Sequence, residues 1–117
     1  MNEKKSIIFI VNPISGTHEK DDMPKLIDEH LDTTLFRHEV VFTEYAGHAA
    51  ELARHYADKG IDVVVAVGGD GTINEVARSL VHTQTALGII PCGSGNGLAR
   101  HLCIPLDPVR AIQLINC

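Results

Sequence analysis

The stretch Val64–Val76, VVAVGGDGTINEV, decides how this 117-residue chain folds. Asp62–Val67 (DVVVAV) is an apolar, β-branched run of strand length, and it runs straight into Gly68, Gly69, Asp70 and Gly71. Such a run reads as a buried strand. From Thr72 to Val81 the period changes, because Ile73, Val76, Ala77 and Leu80 recur at helical spacing. The sequence therefore predicts a strand, a glycine turn around one carboxylate, and a helix beginning at Thr72.

The same alternation extends in both directions. Ser6–Val11 (SIIFIV) reads as a strand buried on both faces, ended by the turn NPISG at Asn12–Gly16. A helix is expected over Met23–Leu35, with Pro24 near its start and Met23, Leu26, Ile27 and Leu31 on one face. Arg37–Phe42 is a weaker strand. His48–Lys59 carries Leu52, Ala53, Tyr56 and Ala57 on one helical face, with Gly60 placed as a C-terminal cap. Ala86–Ile90 is a further strand, followed by a second glycine cluster, PCGSGNG, at Pro91–Gly97. LARHL has the pattern of a short helix, and Asp107 and Pro108 supply a cap and first-turn residue for a last helix carrying Val109, Ile112 and Ile115. Strands alternating with helices along one domain's length predict an α/β fold, a three-layer Rossmann-like parallel sheet with helices on both faces and right-handed crossovers. No internal repeat or linker interrupts it.

Composition narrows the function. The formal net charge is -5, with no Lys/Arg stripe and few aromatics, which argues against nucleic acid as a partner. Cys92, Cys103 and Cys117 are odd in number and lack C-x-x-C spacing, as expected in a reducing cytoplasm and not in a disulfide framework or zinc site. The polar NEKK start and the lack of a membrane-length apolar run predict a soluble, cytoplasmic chain. No basic amphipathic helix announces a bilayer surface, so membrane contact is expected to be peripheral and transient.

In a parallel sheet the loops after the strands gather along one edge, where open α/β folds bind ligands. Here those loops are NPISG, the segment from Thr43, GGDGT and GSGNG. Six of the ten glycines, Gly68, Gly69, Gly71, Gly93, Gly95 and Gly97, fall in two of them. Glycine has no Cβ to hold a ligand off the main chain and accepts positive φ, so successive N–H groups can form an anion cradle. The helix start adds donors and the positive end of a dipole, and phosphate is the natural guest. The competing reading makes both clusters simple strand-to-helix turns. Asp70 repels a bare phosphate, but Mg²⁺ binds one or two carboxylates together with substrate phosphates, so Asp70 points to a metal-bound nucleotide. Its plainer reading is a helix N-cap, a job that Thr72 could also do. Asn74 could reach a phosphate, whereas Glu75 is read as complementing the dipole.

Familiar motifs fail. No Gly is followed by Lys, which excludes a Walker P-loop, and dinucleotide fingerprints starting at Gly69 or Gly93 meet Asn74 or Leu98 where glycine is required. His38-Glu39 lacks the second zinc-protease histidine, since Phe42 stands there, and Ser94 lacks the leading glycine of a hydrolase elbow. Among seven scattered histidines only His48 falls near the expected edge.

GGDGTINEV together with PCGSGNGLAR resembles the catalytic domain of the diacylglycerol kinase family, which includes bacterial lipid kinases and sphingosine kinases. The resemblance covers nearly the whole chain through four motifs in order: Asn12–Gly16, Thr43 with Ala46–Ala49, Gly68–Glu75 and Pro91–Arg100. It implies the N-terminal fold shared by diacylglycerol and NAD kinases, with ATP and Mg²⁺ as cofactors. It also implies nucleotide contacts from Asn12, Ser15, Gly16, Thr43, Gly68, Gly69, Asp70, Gly71, Thr72, Asn74, Gly93 and Ser94. Asp70 is the candidate catalytic and Mg²⁺-associated residue, acting through water or the ATP phosphates. Ser94 stands where the family often has threonine, and Gly97-Leu98 where bacterial lipid kinases often have Asp-Phe, which brings GSGNGLA closer to the sphingosine kinase form.

The family normally continues into a β-rich domain that supplies most of the lipid site, structural metal ligands and the catalytic base. The uncapped final helix fits a chain cut between domains. The resemblance thus implies the ATP-binding half of a lipid kinase, binding nucleotide but transferring phosphate poorly alone, with its lipid held mainly by the further domain. An NAD kinase also uses GGDGT but is not expected to carry PCGSGNGLAR. A non-catalytic nucleotide-binding regulatory module is the reading from a different class. Self-association is left open.

Overall fold

Four strands and four helices alternate along the chain: β1 (Lys5–Val11), α1 (Met23–His30), β2 (Phe36–Phe42), α2 (His48–Asp58), β3 (Val63–Gly68), α3 (Asp70–Leu80), β4 (Ala86–Pro91) and α4 (Pro108–Ile115). The structure, a computed structural model, describes residues 4–13, 23–91 and 108–116. The expected short helix at LARHL and the cluster Cys92–Gly97 lie outside the described residues, as do Ser15 and Gly16.

The strands form one parallel sheet in the order β2-β1-β3-β4. Side chains alternate across a strand, so a strand apolar at every position feeds two cores. Ile7, Phe9 and Val11 of β1 and Val65 and Val67 of β3 face Met23 and Ile27 of α1 and Ala111 and Ile112 of α4. Ile8 and Ile10 of β1 and Val64 and Ala66 of β3 face Ala49 and Ala53 of α2 and Ile73, Val76 and Leu80 of α3. The expected three-layer α/β architecture is what the chain forms. β1 and β3 take the central places, and the sequence of both is apolar on both faces for that reason.

Strand boundaries fall within one residue of those read from the sequence, while two helices differ for physical reasons. Helix α1 ends at His30 and not at Leu35. The His30 carbonyl accepts the Asn116 Nδ2 amide at 2.9 Å, and the Asp32 N–H donates to Asn116 Oδ1 at 2.8 Å. Asp32 then turns its carboxylate onto the Thr34 N–H and hydroxyl, a local alternative to helix hydrogen bonding. Helix α3 starts at Asp70, two residues before the expected Thr72, with Gly69 as N-cap.

Helix α2 ends as its sequence predicts. Gly60 is left-handed at φ 81°, and the Ile61 N–H reaches the Tyr56 carbonyl at 3.1 Å while the Gly60 N–H reaches Ala57 at 3.0 Å. Those two bonds define a Schellman closure, and they set the chain on course for β3.

The strand order places the site. From β1 the chain passes to β2 on one side, then returns across β1 to β3 on the other, which makes the C-terminal ends of β1 and β3 the topological switch point. At that edge Val11 is in register with Phe42 and with Val67, and Gly68 with Pro91. All four strands therefore release their loops along one line.

Candidate functional site

The sheet ladder carries one residue past the strands and fixes two side chains at this edge. The Asn12 N–H donates to the Val67 carbonyl at 3.0 Å, and the Thr43 N–H to the Val11 carbonyl at 2.8 Å. Asn12 Nδ2 then donates to Thr72 Oγ1 at 3.0 Å, tying the end of β1 to the first turn of α3. Thr43 and Thr72 are both buried. Together with Tyr45, Ala46, Ala49 and Glu75 they line a cavity of about 210 Å³ at the C-terminal edge.

The glycine turn beside this cavity departs from the sequence expectation in its backbone angles. None of Gly68, Gly69 and Gly71 is left-handed; the described glycines with positive φ are Gly47 and Gly60. Gly69 is extended, with φ -86° and ψ -171°, and it caps α3 without a side-chain hydrogen bond. So neither Asp70 nor Thr72 is the N-cap: Asp70 opens the helix as an exposed residue, and the Thr72 hydroxyl accepts from Asn12 instead. Packing disfavours a side chain at Gly68, since a Cβ there would lie 3.0 Å from both Cβ and Oγ1 of Thr72.

Among the described residues nothing requires glycine at position 71: a Cβ there would meet none of their atoms within 4 Å, and the backbone is helical. Glycine costs about 1 kcal/mol relative to alanine inside a helix. Its presence in the first turn leaves main chain open at the helix end. At this end the Ile73 N–H donates to the Gly69 carbonyl at 3.1 Å, and the amides of Gly71 and Thr72 precede that bond at the positive end of the dipole.

Glu75 is the residue that the sequence reading placed too modestly. One turn beyond Gly71, it lines the cavity, and its Oε1 is buried with no hydrogen-bond partner among the described residues. A buried acceptor without a donor is costly, so such an atom marks a place where a ligand or water supplies the hydrogen. The signal was the i, i+3 spacing of Thr72 and Glu75, which puts both on one helix face. Asn74, by contrast, is exposed and is not among the residues lining the cavity.

The outer wall is aromatic. Tyr45 stacks on His48 with ring centroids 4.3 Å apart and planes 12° apart, and its hydroxyl donates to Glu51 Oε1 at 3.1 Å. Loss of hydration, followed by the Glu51 carboxylate, pushes the Tyr45 phenol above its ordinary range and keeps it a donor. His48 accepts the Glu44 N–H on Nδ1 at 2.9 Å, so its ring organises this rim. Among the described residues no group of three or more His, Cys, Asp or Glu is placed to hold a metal ion. No lysine or arginine is among the described residues that line the cavity.

Of the expected site residues, the structure brings Asn12, Thr43 and Thr72 to one cavity, with Gly68, Gly69, Asp70 and Gly71 in the adjoining turn. Ser15, Gly16, Gly93 and Ser94 lie outside the described residues, although β4 ends at Pro91 opposite Gly68.

Residues 6–117 match the family model described as the diacylglycerol kinase catalytic domain. The chain belongs to this family. A diacylglycerol kinase of Staphylococcus saprophyticus is 35% identical over 115 residues, covering 96% of this chain and 37% of that protein. A probable YegS-like lipid kinase of Chromohalobacter salexigens is 42% identical over 72 residues, covering 58% of this chain and 23% of its own length. The crystal structure of a diacylglycerol kinase from Bacillus anthracis superposes with a TM-score of 0.84 at 28% identity, covering 99% of this chain and 41% of that one. The chain thus spans well under half the length of each of these relatives. Among its described residues no helix is long and apolar enough to cross a membrane.

Proposed function

We propose that this diacylglycerol kinase domain is the nucleotide-binding part of a lipid kinase that transfers the γ-phosphoryl group of Mg-ATP to a lipid hydroxyl, on diacylglycerol or a sphingoid base. The observation that carries the reading is Gly71. Among the described residues neither packing nor backbone geometry asks for glycine there, and helix propensity disfavours it, which supports a ligand approaching the α3 main chain.

The donor set fits a triphosphate carried with a divalent cation. The described residues lining the cavity offer hydroxyl and amide groups from Asn12, Thr43 and Thr72 and the carboxylate of Glu75, but no basic side chain. Phosphate charge would be met by the amides of Gly71 and Thr72, by the helix dipole and by a cation near Asp70. Mg²⁺ characteristically takes one or two protein carboxylates and completes its shell with phosphates and water, which suits a chain lacking a three-ligand cluster among its described residues. When bound, Mg²⁺ neutralises charge on the phosphates during transfer. Asn12 and Thr43 would orient the nucleoside end, and Glu75 Oε1 would accept a ligand N–H or O–H. Phosphoryl transfer depends mainly on positioning and charge neutralisation, so the acceptor lipid and its base are assigned to chain beyond this domain.

The test is phosphate transfer by the full-length protein from labelled ATP to diacylglycerol or sphingosine in mixed micelles, run beside NAD. Labelled lipid phosphate supports the proposal. Labelled NADP with no lipid product would replace it by an NAD kinase reading, and no transfer with retained ATP binding by a regulatory module.

A further inference from the structure

We infer that Tyr45, held by His48 and Glu51, is a nucleobase-positioning residue, a flat wall against which the purine of the bound nucleotide stacks. This rests on the nucleotide-binding reading and adds a residue to it.

Tyr45 is 54% exposed, yet its ring is not at liberty. His48 lies parallel to it at 4.3 Å, the phenol donates to Glu51 at 3.1 Å, and the Glu44 N–H fixes His48 through Nδ1 at 2.9 Å. Both partners lie in the opening turn of α2, just after Gly47, whose left-handed φ of 87° turns the chain from the rim into the helix. An exposed aromatic side chain ordinarily keeps its rotamer freedom, and ordering it on binding would cost affinity. Here three interactions order it beforehand, which is what preorganisation requires.

Its place in the cavity gives the ring a task. Tyr45 follows β2, which β1 separates from β3 and its glycine turn, and it lines the same cavity as Thr72 and Glu75 of α3, Asn12 and Thr43 at the sheet edge, and Ala46 and Ala49. Phosphates held at the α3 amides leave the nucleoside to extend along this lining. Ala46 and Ala49 are small and leave room, and Tyr45 supplies a π-face that binds any base by stacking without reading its hydrogen-bonding edge.

The experiment is calorimetric titration of the 117-residue chain at saturating Mg²⁺ with ATP and, separately, with inorganic tripolyphosphate, which shares the phosphates and lacks the base. Wild type, Tyr45→Ala, Tyr45→Leu and Tyr45→Phe are compared, with thermal melts confirming that each is folded. Tyr45→Ala and Tyr45→Leu are expected to raise the Kd for ATP about tenfold or more and to leave tripolyphosphate unchanged. Tyr45→Phe should stay within about threefold of wild type, since the ring remains. Unchanged ATP affinity in Tyr45→Ala overturns the inference while leaving the nucleotide reading intact, and equal losses for both ligands overturn it by assigning Tyr45 to the phosphates or the fold. Failure of wild type to bind ATP sinks the nucleotide reading and this inference with it.

Discussion

Asn12 and Thr72, 60 residues apart in sequence, are joined by a hydrogen bond from Asn12 Nδ2 to Thr72 Oγ1 at 3.0 Å. It crosses the switch point of the sheet, so the end of β1 and the first turn of α3 hold a common position. Thr72→Val keeps the shape and removes the acceptor. It is expected to cost about 1 kcal/mol of stability and to weaken ATP binding, whereas Thr72→Ser retains both, as measured by urea unfolding and calorimetry. Equal behaviour of the two variants would show that the bond positions nothing.

The two glycines flanking Gly69-Asp70 should respond oppositely to alanine. Gly68→Ala drives a Cβ to 3.0 Å from Thr72 and is expected to destabilise by about 1–3 kcal/mol. Gly71→Ala fills open space in a helical turn and is expected to stabilise by up to about 1 kcal/mol while weakening ATP binding. Chemical denaturation and ATP titration on the same samples check both. A Gly71→Ala variant with full affinity would remove Gly71 from the site.

Asp70 is exposed at the start of α3 and is not its cap. Asp70→Asn is therefore expected to leave stability within about 0.5 kcal/mol of wild type. Its effect should fall on Mg²⁺-dependent ATP affinity, about tenfold weaker, with little change in metal-free affinity. Identical losses with and without Mg²⁺ would separate Asp70 from the metal.

Acid should loosen the loop after α1. The Thr34 hydroxyl, followed by the Thr34 and Leu35 backbone, holds the Asp32 carboxyl below its ordinary value of 3.8. A carboxylate whose folded pKa is depressed stabilises the fold above its unfolded value, and that contribution is lost as pH falls through the folded pKa. Asp32→Asn should lower the urea midpoint near neutral pH and make the midpoint less sensitive to acid below 3.8. Parallel pH profiles for variant and wild type would contradict this.

The sheet and its two cores were legible because residues 7–11 of β1 and residues 63–67 of β3 are apolar at every position, a pattern that suits a strand covered on both faces. Gly60 was legible for a local reason, since a left-handed cap needs glycine. What escaped the sequence was set at a distance. Helix α1 stops at His30 because Asn116, 86 residues later, takes its carbonyl. The start of α3 was misplaced because Gly69 caps it without any side chain to announce the fact. Glu75 passed for a dipole partner because its buried oxygen, unpartnered among the described residues, lines a cavity that Thr43 and Tyr45 help to form from the end of β2 onward. The glycines of GGDGT were read both as leaving the main chain uncovered and as permitting positive φ; none of the three has positive φ, while a Cβ would crowd Thr72 at Gly68 and meet open space among the described residues at Gly71.

The most direct measurement is calorimetric titration of the chain with ATP, with and without Mg²⁺, beside Gly69→Val. The extended backbone at Gly69 accepts valine, so the variant should fold, and a branched side chain at the cap should obstruct the amides. Wild type is expected to bind ATP more tightly with Mg²⁺ and Gly69→Val to show no binding while keeping its cooperative melt. A folded Gly69→Val chain with wild-type affinity would mean that the triphosphate does not sit at this turn.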